Sequence, residues 1–259
     1  MLRFFSKMRY KLAAKNRAAK PASRAGRYLR YAVGEILLVV IGILIALQVN
    51  NWNEQQKIKT SEQLVLKSLL KEFQYNQEIL EKTILMNKEN LVVAQNLGNY
   101  TGPHLPQIDE KELSQSMVGV FKYMVNYLPS MGTLFDVINS GKLSLISNQE
   151  LRSDLAAFEA ETDNVHRQEN DVKQEQEVAH SFFISTGNFR RHLTVINDAL
   201  IDPTPSRFPN NDFKFLENPE FENHLYYYIV MAANLDKNFY APLKAKQDSI
   251  IQLIQSEIH

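Results

Sequence analysis

Residues 31–57 read YAVGEILLVVIGILIALQVNNWNEQQK, and the fold turns on what surrounds this stretch. Every residue from Ile36 to Leu47 is apolar or Gly. A run of that length fits a buried soluble helix, the apolar part of an export signal, or a membrane anchor. The flanks decide between them. From Tyr31 to Val49 a helix of 19 residues reaches roughly 28 Å at about 1.5 Å per residue, close to the hydrocarbon thickness of a bilayer. Tyr28 and Tyr31 on one side and Trp52 on the other stand where interfacial aromatics belong. A signal peptidase needs small residues at alternate positions after the apolar run, and IALQVNN offers only Ala46. An uncleaved transmembrane helix over residues 31–51 is the expectation.

Charge sets the orientation. The formal net charge of zero over 259 residues hides an asymmetry: residues 1–34 carry ten Lys and Arg and no acid, while the remainder has 19 basic against 29 acidic residues, a net of −10. Basic residues before an apolar helix hold that side in the cytoplasm. The plan is a basic cytoplasmic segment over 1–30, the anchor over 31–51, and an extracytoplasmic domain over 52–259. In a bacterium this puts the anchor in the inner membrane and the domain in the periplasm. Leu2, Phe5, Met8 and Leu12 follow helical spacing opposite Arg3, Lys7 and Lys11, the pattern of a basic helix lying on anionic lipid. Membrane lipid accounts for the basic charge, so no nucleic-acid partner is expected. The absence of Cys excludes disulfides and thiolate metal sites.

Glu35 is costly near an apolar core and so raises a functional question. On a helix it shares a face with Gly42, Ala46 and Val49, and Gly42-x-x-x-Ala46 is a small-xxx-small pair that lets two helices approach closely. Glu35, Gly42 and Ala46 form the expected association face, for a protein partner or a homo-oligomer. The competing reading puts Glu35 at headgroup level, paired with Arg30 or a lipid.

Beyond the anchor, nine Gly and nine Pro in the whole chain favour helix over a turn-rich β fold. No Gly or Pro occurs from Trp52 to Leu97, and Leu66, Leu69, Phe73, Leu80, Ile84, Leu91 and Ala94 mark one helical face with Asn76 and Asn87 as interruptions. This predicts a long helix stopped at Gly98. Asp109 with Glu112 predicts a capped helix running to about Tyr127. Ser147-x-x-Glu150 predicts a capping box for the next long helix. There, Leu151, Leu155, Phe158, Thr162, Val165, Glu169, Val172, Gln176, Ala179 and Phe183 keep a spacing of alternating fours and threes, the seam of bundle packing. Its polar middle predicts weakest burial across 160–178. A short helix is expected over 188–201 and a proline-broken loop over 202–212. Asn218-Pro219 opens a last helix lined by Phe221, Leu225, Tyr228, Ala232, Leu235 and Phe239, with a kink near Pro242. The expected fold is all-α: one N-terminal transmembrane helix continuing into an antiparallel helical bundle.

Few residues carry chemistry. Glu177-x-x-His180 matches one element of a di-metal bundle site, which needs a second such element that the chain lacks, so no metal and no cofactor are expected. Ser140-Gly141-Lys142 departs from a phosphate loop, with Asp136 in place of its first Gly and Leu143 in place of Ser or Thr. Thr162, Glu169 and Gln176, with His166 and His180 nearby, are the candidates for a polar ligand pocket. The plainer alternative is a solvated helix face. Tyr226, Tyr227 and Tyr228 point in three directions on a helix and read as core plus rim.

The anchor wording GEILLVVIGILIALQVNNWNE at 34–54 and the central LFDVINSGKLSLISNQELRSDL at 134–155 resemble an uncharacterised bacterial family of single-pass membrane proteins, over most of the chain. Such a family is a domain of unknown function with no assigned catalytic residues, so the resemblance implies topology and no activity. The expected function is a non-enzymatic scaffold or accessory role exerted through protein association. The alternative is a ligand-sensing periplasmic bundle coupled to a separate output protein.

Overall fold

The computed structural model describes residues 24–107, 109–197, 203–208 and 213–259. The amphipathic reading of Leu2, Phe5, Met8 and Leu12 falls outside them, as do parts of the short helix and proline loop expected over 188–212. Among the described residues every regular element is helical: α1 (Arg24–Gly98), α2 (Glu110–Lys122), α3 (Gly132–Asn139), α4 (Gln149–Thr186), α5 (Phe189–Ile196), α6 (Pro219–Leu235) and α7 (Ala241–Glu257). The chain divides into two compact units, Met1–Lys59 and Thr60–His259.

In the first unit, α1 carries an 18-residue window of mean hydropathy 2.5, none of it buried against protein. Tyr28, Leu37, Ile43, Leu47 and Trp52 all stand exposed. A soluble core helix hides such side chains against neighbours. This one presents apolar surface all round, over a length that crosses a bilayer, and is a membrane-spanning helix.

The second unit is a bundle of three long helical rods. Residues 60–98 of α1 supply the first, α4 the second, and α6 with α7 the third. On α1 the buried seam runs Glu62, Leu66, Leu69, Phe73, Asn76, Leu80, Thr83, Asn87, Asn90, Ala94 and Leu97, the same alternation of fours and threes as in α4, with Glu72 buried beside it. All ten seam residues read from the α4 sequence are buried. Two rods with this period pack left-handedly, knob into hole. Residue pairings give the directions. Glu62 bonds Ser147 and Phe73 meets Phe158, so the first two rods run parallel. Gln63 donates to the Glu257 carbonyl and Gln77 pairs with Asp248, so the third runs antiparallel to them.

The third rod holds an irregularity with a structural cause. Its buried seam is Phe221, Leu225, Tyr228, Ala232, Leu235 and then Tyr240, Leu243, Gln247, Ile250 and Ile254, with Ile229 and Ile251 buried beside it. The step from Leu235 to Tyr240 is one residue too long for the pattern. A π-helical turn at Asp236–Tyr240 absorbs it, after which α7 resumes with Pro242 in its first turn, where a missing N–H is tolerated. Tyr240 therefore takes the core position that the sequence pattern assigned to Phe239.

The two parallel rods need a long crossover, residues 99–148, and its elements end where side chains claim their backbone. Asp109 caps α2 by accepting from the Lys111 and Glu112 N–H groups. The helix stops at Lys122, not near Tyr127, and the chain from Tyr123 to Met131 is non-helical, with Tyr123 fully extended. Leu128 precedes Pro129, which disfavours helix there. After α3, Gly141 adopts φ +74°, a left-handed stop that side chains with a Cβ resist. Asn148, not Ser147, is the N-cap of α4 and accepts from the Leu151 N–H, because Ser147 is held by Glu62.

Candidate functional site

One apolar core runs through the bundle, with buried polar side chains gathered along its middle. At one end Leu66, Leu69 and Phe73 meet Leu151, Leu155, Phe158, Ile250 and Ile254 in the buried core. At the other, Phe183 is the hub of an aromatic cluster, 5.0 Å from His192, 5.7 Å from Phe189 and 6.1 Å from Phe215 between ring centres. Between them, Asn76, Thr83, Asn87 and Asn90 on α1, Thr162, Glu169 and Gln176 on α4, and Gln247 on α7 are all buried. This reverses the expectation that burial is weakest across 160–178: Thr162 and Glu169 are 3% exposed and Gln176 is 4%.

Polar groups survive burial only when bonded, and most of these bond one element, the Tyr123–Met131 strap. The strap is clamped through its backbone. Asn76 accepts from the Ser130 N–H (2.7 Å) and donates to the Ser130 carbonyl (2.6 Å). Asn90 and Gln176 both donate to the Tyr123 carbonyl, and Gln176 also reaches the Val120 carbonyl. Glu169 accepts from the Tyr127 N–H at 2.8 Å, while His166 Nε2 lies 2.8 Å from the Tyr127 carbonyl. Tyr127 points into the core with no exposed surface, and Gln247 donates to its hydroxyl. The strap thus answers Asn76, Asn90, Glu169, Gln176 and Gln247, each at one atom or more, while Glu169 Oε2, Gln247 Oε1 and Asn87 Oδ1 are buried without a partner among the described residues.

Glu169 has the most demanding environment. One oxygen, Oε1, takes both the Tyr127 N–H and the Tyr240 hydroxyl, while Oε2 is buried with no donor among the described residues. Burial raises its carboxyl above the ordinary carboxylate value, against the opposing pull of the Tyr240 hydroxyl, the Tyr127 N–H and the His166 ring. Burial likewise pushes Tyr127 and Tyr240 well above the usual phenol range, and Tyr228 up to about 12 despite its bond from Asn90.

Of the five pocket candidates, Glu169, Gln176 and His166 therefore come together, around the protein's own backbone, while Thr162 and His180 are engaged elsewhere. Thr162 bonds the Phe158 carbonyl of its own helix. His180 stacks on Phe121 at 4.7 Å, with its imidazole pushed below its usual pKa by burial. Glu177 pairs with Lys173, and among the described residues no three His, Cys, Asp or Glu side chains gather to hold a metal. At the aromatic end His192 sits against Ser114, and burial pushes it down to about 4. Tyr228 is buried, while Tyr226 and Tyr227 stay exposed. Glu35, Gly42 and Ala46 are exposed on α1, and nothing lies within 4 Å of where a Gly42 Cβ would stand. Sequence reasoning missed Asn90, Tyr127 and Gln247 as clamp residues, and also Glu72, which accepts from the Ser130 hydroxyl of the strap. Pro129, which breaks helix on its N-terminal side, was the available signal for the strap.

A membrane-spanning helix with a helical bundle on the same chain, all-α among the described residues, defines the class of protein. The chain belongs to the family of unknown function DUF6090, whose profile matches residues 35–197. The match takes in the anchor, the strap, the clamp residues of α1 and α4, and α5. No curated protein and no solved structure matches the chain.

Proposed function

We propose that this chain is a non-enzymatic membrane-anchored scaffold or accessory protein that acts by associating with protein, using neither metal nor cofactor. The single observation behind this reading is an apolar helix of bilayer length with none of its apolar window buried against its own chain. Such a surface is covered by lipid or by another helix. The basic excess before residue 35 favours a cytoplasmic N-terminus and a periplasmic domain, with the anchor in a bacterial inner membrane and the boundaries near residues 30 and 51. Association through the Glu35, Gly42 and Ala46 face, with a second copy or a different protein, is the mechanism in this reading. Engagement of Glu169, Gln176 and His166 by the strap favours association over ligand sensing, which needs those groups free. Crosslinking in membranes tests it. Gly42→Leu places a bulky side chain on the face and is expected to cut the crosslinked species by about tenfold, equivalent to roughly 1.4 kcal/mol. An unchanged profile removes the anchor from the mechanism.

A further inference from the structure

The strap is held by a group that can change charge. Glu169 is 3% exposed, its Oε1 receives two donors and its Oε2 receives none. An ionised carboxylate wants several donors spread over both oxygens. A protonated one needs fewer and loses less on leaving water. Strap and carboxyl are directly joined, because the Tyr127 N–H that Glu169 accepts lies at the strap's centre, where His166 and Gln247 hold the same residue.

We propose that Glu169 is a proton-operated latch: the Tyr123–Met131 strap closes most tightly over the protonated side chain and loosens when the carboxyl ionises. The unpaired Oε2 drives it, since opening the strap hydrates that oxygen and the gain is far larger when it carries charge. The sign follows from linkage. A carboxyl whose pKa is higher in the closed state than in the open one binds its proton more tightly when closed. Closed-state stability is therefore full below the ordinary carboxylate range and declines as pH rises through the raised value. The titratable groups around Glu169 are His166 on α4, Tyr127 on the strap and Tyr240 on the π turn, whose hydroxyl in turn feels Asp236. Both tyrosines stay neutral throughout this window. A charged His166 favours the ionised carboxylate and so opposes the latch.

Hydrogen exchange of the Tyr127 amide in the full chain, in micelles and corrected for intrinsic rates, reads the latch. Its protection is expected to rise as pH falls through the raised carboxyl value toward the ordinary carboxylate range, by up to about tenfold per pH unit, while the Leu155 amide follows a different profile. Glu169→Gln abolishes the slope. Tyr240→Phe removes a donor to the carboxylate and moves the midpoint to higher pH, which keeps the test alive if Glu169→Gln fails to fold. A flat profile in the native chain, a slope that survives Glu169→Gln, an unmoved midpoint in Tyr240→Phe, or identical profiles at Tyr127 and Leu155 each overturn the proposal.

Discussion

Phe158→Ala is expected to lower the unfolding free energy of the bundle by about 3–5 kcal/mol, the usual cost of emptying a well-packed aromatic site. The ring has no exposed surface and sits 4.8 Å from Phe73. It lies in the apolar end where all three rods meet, so the hole forms at a junction of long helices that cannot collapse independently. Denaturant titration of the full chain in micelles, followed by circular dichroism, measures the loss. A shift below about 1 kcal/mol would mean the packing at this end is loose.

Glu72→Ala is expected to cost about 3 kcal/mol, for a different reason: it removes one acceptor and orphans several donors. Glu72 Oε1 accepts from the Ser130 hydroxyl and the Thr133 N–H, and Oε2 accepts from the Leu134 N–H. The last two belong to the first turn of α3, whose own N-cap, Met131, supplies no side-chain bond. Glu72 therefore caps α3 from another helix, ten residues beyond Glu62, which holds Ser147 ahead of α4. These two carboxylates fasten the 130–147 stretch to α1, a physical role for acids that interrupt or border the apolar face. Glu72→Gln, keeping one acceptor oxygen, is expected to lose about half as much. Faster exchange at the Thr133 and Leu134 amides is the local readout.

Periodicity made the rods legible. The α4 seam could be read residue by residue because a 3.5-residue repeat is a local property that burial respects, polar members included. The same rule failed at Phe239, where the π turn advances the register by one residue, an event that leaves no mark in hydrophobic spacing alone. The end of α2 was misplaced because propensity favours helix through Tyr127, while Glu169 and His166, some forty residues downstream, take that residue's backbone groups. The polar seam was visible as Thr162, Glu169 and Gln176, but its occupant was not. A sequence shows that a core position is polar without showing which backbone will answer it. The anchor was the most legible feature of all, since its surroundings are a solvent and not a particular partner.

That solvent is the claim most directly open to measurement. After alkaline carbonate treatment of membranes carrying the full chain, the protein is expected to sediment entirely with the bilayer, because the apolar surface of α1 has no protein cover in its own chain. Recovery of the intact chain in the supernatant would contradict a membrane-spanning α1 and, with it, the anchored display of the bundle.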